Sequence, residues 1–179
     1  MAQKLIFAQT FEGLLRSLSG KLTPPLVQGL RTRGVDVEQP LQSAYPMETF
    51  IEVVQYLAGA LHPQLALEDG VALIGRGFLD GFGETMIGRA MLAMLRIIGP
   101  HNSLKRLTQE FRTGNNYSET RLTQCGERTY ELWVNELHMP GWYIGVVSRG
   151  LELAGARGSK VELQSQDPVG GTFRVSWTT

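Results

Sequence analysis

Cysteine is almost missing from this chain. Cys125 is the only one in 179 residues, so no internal disulfide can form, which suits a reducing compartment. Net charge is missing too: Lys and Arg together number 17, as do Asp and Glu. A balance of zero gives no electrostatic support to a nucleic-acid or anionic-membrane role over the whole surface. No apolar run approaches the ~20 residues that a membrane span needs. Near the N-terminus the apolar patch is only LIFA, followed by Gln and Glu, too short for a signal-peptide core. These features imply a soluble cytoplasmic protein.

Recognisable chemistry is equally scarce. The histidines are His62, His101 and His138, far apart in sequence, and Cys125 has no Cys or His at ligand spacing, so no metal site is expected. There is no G-x-S-x-G nucleophile elbow, and Ser148 in VVSRG has the wrong neighbours. GRGFLDG lacks the Lys-Ser/Thr of a phosphate loop. No catalytic constellation emerges, and the expectation is a protein that is not an enzyme.

What is present is periodicity. Residues 4–18 mix strand-like and helical spacing, with Phe7, Phe11, Leu14, Leu15 and Leu18 on one helical face. Residues 22–34 read as a short helix entered through Thr23 and two prolines and closed at Gly34. Residues 35–46, VDVEQPLQSAYP, read as a loop. From Pro46, the residues Phe50, Val53, Val54, Leu57 and Leu61 follow helical spacing until Pro63. Residues 66–83 continue as a helix despite five glycines; Gly77 and Gly81, one turn apart, imply close approach by a neighbour. Residues 84–100 are apolar nearly all round, the mark of a helix central to its fold. Residues 103–114 form a further short helix, with Ser103 as cap and Gly114 as left-handed terminator.

The period then changes to two. Tyr130, Leu132 and Val134 alternate with Thr129, Glu131 and Trp133, after an alternating run from Tyr117, which predicts a β-hairpin turning at Cys125-Gly126-Glu127. Residues 140–158 return to helical spacing. KVELQSQ and TFRVSW then flank DPVGG, a turn signal. The prediction is one α+β domain over 1–179, mainly helical over 1–114 and hairpin–helix–hairpin over 115–179. Its helical layer packs on a four-stranded antiparallel sheet.

Several strings carry a resemblance: LIFAQTFEGLL near the start, AYP before the second long helix, GRGFLDGFGETMIGRAMLAMLRIIGP, FRTGNNYSETRL and the closing FRVSW. Together they resemble a paralogous family of unknown function found in myxobacteria. That family is similar in its order of elements to the group of haem-NO-binding, 4-vinyl-reductase-like and TRAPP transport-subunit proteins. The resemblance implies a helical layer paired with a hairpin–helix–hairpin sheet. It also implies a sensor, regulator or assembly subunit, some members of the group holding haem or acyl chains in the core. The tyrosine–serine–arginine signature with which haem-NO sensors hold haem propionates is absent here, and none of the three histidines is expected mid-helix beside small residues. No cofactor is therefore expected.

Met86, Met91 and Met94 crowd the apolar helix, and methionines adapt to irregular ligands. Between Thr85 and Thr113, Arg89, Arg96, Lys105, Arg106 and Arg112 face Glu110 alone. Arg89 and Arg96, seven apart on one helix face, with Arg112 and the amides of Asn115 and Asn116, are candidate groups for an anionic ligand or acidic partner, and Tyr117 is a further candidate ligand-binding residue; pairing with Asp80, Glu84, Glu110 and Glu119 is the structural alternative. In RTGNNYSETR, 112–121, the asparagines read as a hydrogen-bonded corner between helix and sheet. Trp133, Trp142, Tyr143 and Trp177 and the sheet edges favour self-association. The expected function is a non-enzymatic cytoplasmic regulatory or scaffold module working through protein contacts, as a homodimer. The alternative is a sensor with an apolar or haem-like small molecule beside the Met-rich helix.

Overall fold

Alternation of apolar and polar residues along the last third of the chain builds the sheet. A computed structural model describes residues 3–178. A short strand β1 (Leu5–Phe7) leads into helix α1 (Ala8–Arg16), followed by α2 (Pro24–Arg31). Strand β2 (Ala44–Pro46), helix α3 (Met47–Leu61) and helix α4 (Leu67–Phe82) come next, then the long α5 (Met86–Glu110). Hairpin β3 (Thr120–Gly126) and β4 (Thr129–Asn135), helix α6 (Pro140–Leu153), and hairpin β5 (Arg157–Gln166) and β6 (Gly170–Thr178) complete the fold. The second sheet has four antiparallel strands in the order β3-β4-β6-β5. The α+β class with a hairpin–helix–hairpin sheet is thus as the periodicity predicts. One difference lies in 35–46: AYP is a strand, paired antiparallel with LIF through Ile6 and Tyr45. A three-residue strand leaves no periodic signal, because its partner lies about forty residues away.

The inward face of the sheet is the alternating set Tyr130, Leu132 and Val134 on β4 and Phe173 and Val175 on β6, all buried and in register. Val147 and Leu151 of α6 and Leu104 of α5 cover it. A second core gathers Phe11, Phe50, Val53, Val54, Leu57 and Trp142 among the helices. Tyr143 joins the two, with its ring 5.1 Å from Phe111 and 6.1 Å from Phe173.

Helices α4 and α6 press together backbone to backbone. A Cβ on Gly75 would stand 2.7 Å from the Trp142 carbonyl oxygen, and one on Gly145 would overlap the Ala72 carbonyl. Gly81 plays the same part against α1, where a side chain would strike Gly13 and Ser17; this is the neighbour that the glycine spacing of α4 anticipates. Charges run along the α4–α6 seam: Arg76 forks onto Glu152 at 2.8 and 2.9 Å, and Arg149 reaches both Asp80 at 2.8 Å and Glu152 at 3.3 Å.

The expectation that residues 84–98 lie at the centre of the fold is overturned. Along that stretch only Thr85, Gly88 and Leu95 are buried. Met86, Ile87 and Ile97 are 87, 62 and 84% exposed. The helix is also not continuous. Gly99 has φ 73° and ψ 171°, a conformation essentially closed to L-residues, and Pro100 brings no N–H to the ladder. The carbonyls stranded at the break are collected by side chains. Ser103 donates to the Leu95 oxygen at 2.9 Å and Asn102 to the Ile98 oxygen at 3.2 Å. Ser103 is therefore a brace across a kink, not the cap of a separate helix. Residues 86–98 form a largely exposed arm that ends at this kink and rests on the end of α4 through Gly88, where a side chain would strike the Phe82 carbonyl.

Gly114 is corrected as well. It is not among the glycines with positive φ; its role is proximity, since a Cβ there would meet the Thr10 hydroxyl at 2.8 Å. Its carbonyl accepts from Phe7 N–H at 2.9 Å and from Thr10 at 3.1 Å. Asn115 accepts from the N–H groups of Tyr117 and Ser118, and Asn116 accepts from Leu5 N–H while donating to the Gln3 carbonyl. The stretch 112–121 is thus the corner that stitches β1 to the helix–sheet junction. Arg121 lies 4.4 Å over the Trp133 ring, and Arg112 is exposed.

Gly99→Ala, forced into a glycine-only conformation, is expected to cost about 1–3 kcal/mol, read as a lower urea midpoint at unchanged slope. Glu152 is held below its ordinary carboxyl value of 4.5, first by its hydrogen bonds from Arg76, against a smaller opposing effect of burial. A depressed carboxyl stabilises the fold fully above its unfolded value and loses that contribution as pH falls through the lower folded value. Melting curves of wild type and Glu152→Gln should therefore differ at pH 7 and converge only as pH falls through the lowered folded value, beneath the ordinary carboxyl range.

Candidate functional site

Where the helical core meets α5 and α6, the chain leaves a cleft with about 110 Å³ of free volume. Its floor is aromatic. Phe50 of α3 meets Trp142 edge-on at 5.0 Å between ring centroids, and Phe78 of α4 lies 4.9 Å from the same indole. Trp142 is held there by the close α4–α6 contact at Gly75. Phe82 and Met91 close one side, and Met91 belongs to the exposed arm. Tyr143, Phe111 and Val146 close the other.

The rim is polar. Gln9, Thr10 and Asn115 line it, but each is already committed to a backbone carbonyl or amide of residues 111–118. Tyr117 differs: among the described residues no hydrogen bond engages its hydroxyl. Burial first, and then Tyr143 and the carboxylates Glu136 and Glu48, push that phenol far above its ordinary value of 10.0. Glu110 and Glu136 stand at the rim, held from outside by Arg106 and Lys4 respectively. Glu136 has φ 49°, a left-handed backbone that costs an L-residue roughly 1–2 kcal/mol. His138 lines the cleft 3.8 Å from the Glu136 carboxylate.

Of the residues singled out from sequence, Met91 and Tyr117 line this cleft. Met86 projects into solvent, Arg89 and Arg112 are exposed, and Met94 is half-buried; none of these four lines the cleft. Asn116 is exposed and spent on β1. Arg89, Arg96, Lys105 and Arg112 form no ion pair among the described residues; Arg106 pairs with Glu110 at 2.8 Å, whereas Asp80 turns to Arg149. The pairing read from sequence is therefore realised once, and the arm keeps unneutralised cations. Phe50, Phe78, Glu136, His138 and Trp142 had no sequence signal as site residues. Phe50 carries the same helical spacing as its wholly buried neighbours, and Glu136 and His138 sit in a loop without motif.

Haem is tested directly by these residues. Its two propionates call for cations, yet among the described residues no Lys or Arg lines the cleft, while Glu110 and Glu136 do. His101 lies within α5, not in a loop as its Gly-Pro prefix suggests. It is turned to the sheet, with Nδ1 2.9 Å from the Tyr130 hydroxyl and its ring 5.0 Å from Trp177. Pockets for drug-sized ligands run to ~300–1,000 Å³, well above the space here. The residues present do not fit haem. No group of three or more metal-ligating side chains occurs among the described residues, and no described helix is long and apolar enough to cross a membrane.

A family model described as protein of unknown function (DUF2378) matches residues 4–178. The chain belongs to that family. No curated protein matches it. Among solved structures it is similar to the unliganded Fe(II) H-NOX protein from K. algicida, with TM-score 0.61, 12% identity and 95% of each chain covered. It is also similar to an H-NOX protein from S. oneidensis in the Fe(II)NO ligation state, with TM-score 0.63, 12% identity, and 97% of this chain and 100% of that one covered. A mutant of T. tengcongensis H-NOX gives TM-score 0.62 at 10% identity over 95% and 96% of the two chains. At such identities the likeness establishes an H-NOX-like fold for this DUF2378 member.

Titration with haemin is expected to leave the haemin absorption spectrum unchanged. A sharpened Soret band with the signature of an axially ligated iron would contradict the fit test.

Proposed function

We propose that this DUF2378 protein is a non-enzymatic, ligand-responsive regulatory module that takes a small apolar molecule other than haem in the cleft. One observation carries this reading: the cleft is bounded on one side by a fixed aromatic floor and on the other by Met91 of the exposed arm. A ligand touching both changes the free energy of the arm's position relative to the floor. By linkage, its affinity for the two positions sets how far the arm's population shifts. The H-NOX-like fold supports a sensor by analogy, since the S. oneidensis H-NOX protein of that fold is known in an Fe(II)NO ligation state.

Contact with a protein partner is the output that the arm favours. Met86, Ile87 and Ile97 expose apolar surface beside Arg89 and Arg96, which have no ion-pair partner among the described residues. An exposed apolar patch with flanking charge marks an interaction surface, and self-association is one use of it. The regulatory or scaffold role read from sequence enters here as the output of a sensor.

Native mass spectrometry on protein purified without refolding is expected to show a fraction carrying a noncovalent adduct, removed by Trp142→Ala at the floor. Uniformly adduct-free protein that is also not stabilised thermally by any apolar fragment at millimolar concentration would remove this reading. For the arm, Ile97→Glu is expected to change stability by no more than about 0.5 kcal/mol, as an exposed site should. It should also abolish any concentration-dependent rise in mass by light scattering.

A further inference from the structure

The charges around the cleft narrow the ligand further, and this narrowing rests on the apolar-ligand reading above. Every ionised group of fixed sign that lines the cleft is an acid. Glu110 reaches it from the last turn of α5 and Glu136 from the loop after β4. Their cations, Arg106 and Lys4, are not lining residues, so the carboxylates stand between those cations and anything bound. Glu48, in the first turn of α3, forms no ion pair among the described residues, and its charge acts on Tyr117 at the same rim. Among the described residues His138 is the one lining side chain able to carry positive charge, and it faces the Glu136 carboxylate at 3.8 Å.

The neutral groups point the same way. Gln9, Thr10 and Asn115 each commit a donor to a carbonyl of the corner 111–114, so the neutral rim is already partly spent on the fold. The Tyr117 hydroxyl, free among the described residues, can accept a hydrogen bond as well as give one. The walls are aromatic, with Trp142 and Tyr143 among the lining residues, and aromatic rings tolerate a cation better than an anion at their faces. A carboxylate ligand would lose its hydration and gain two acids as neighbours; an ammonium head would meet acids, aromatic rings and a phenol oxygen.

We infer that the cleft is a site for a small apolar amine, bound as its ammonium ion with the hydrocarbon on the Phe50–Phe78–Trp142 floor and the charged head at the Glu110–Glu136 rim. It discriminates against apolar carboxylates of the same length.

A matched probe series tests this: octylammonium, octanol and octanoate at pH 7, each titrated calorimetrically below its micelle-forming range. Octylammonium is expected to bind at least about tenfold tighter than octanoate, equivalent to roughly 1.4 kcal/mol, with octanol between. In the double variant Glu110→Gln/Glu136→Gln the preference should collapse to within about threefold. Octanol affinity should stay within a factor of two, which shows that the cleft is still folded. Octanoate binding as tightly as octylammonium, or a preference that survives in the double variant, overturns the amine assignment and leaves the apolar-ligand reading standing. Failure of all three probes to bind at millimolar concentration sinks that earlier reading as well.

Discussion

The contact of α4 with α6 is the constraint on which the rest depends. Two helices approach this closely only where the side chains between them are reduced to hydrogen, and Gly75 and Gly145 provide that at the Trp142 and Ala72 carbonyls. Dispersion and packing at such a seam are strong because they are dense. The seam is further aligned by the Arg76–Glu152–Arg149–Asp80 charges, which are half-exposed and count more for register than for energy. Once α6 is fixed, consecutive residues do different work. Trp142 enters the helical core and becomes the cleft floor, while Tyr143 bridges to the sheet core. The sheet, the helical layer and the cleft are thus positioned by one helix pair.

The arm of α5 is the counterpart. It follows directly from the seam's α4, yet between Met86 and Ile98 only Gly88 and Leu95 are buried. The Gly99-Pro100 break separates it mechanically from the well-packed half that carries Leu104 and Leu107. Segments with few buried contacts open at low free energy, and functional motion is drawn from such segments. Under the proposed reading, a small molecule held between the aromatic floor and Met91 would bias the position of this segment.

Much of the fold was legible in sequence. The helical spacing of Phe50, Val53, Val54 and Leu57, the alternation of Tyr130, Leu132 and Val134, and the DPVGG turn each report a local period that the tertiary structure keeps. The RTGNNYSETR corner was legible too, because asparagines bond locally. Three features were not. The β1–β2 pair depends on a partner distant in sequence. The arm reads as central because apolar composition records what a surface avoids, not which part of the chain arrives to cover it. The cleft draws on α1, α3, α4, α5, α6 and two loops, and no spacing rule joins Phe50, Met91, Glu136 and Trp142. Of the three methionines named from sequence, Met91 alone lines the cleft.

Native-state hydrogen exchange followed residue by residue tests the central claim most directly. The account predicts that amides of 89–98 exchange through local opening, well before those of 71–81 and 144–152, whose protection should approach that of global unfolding. Equal protection of the arm and the α4–α6 seam, or a seam that opens first, would contradict it.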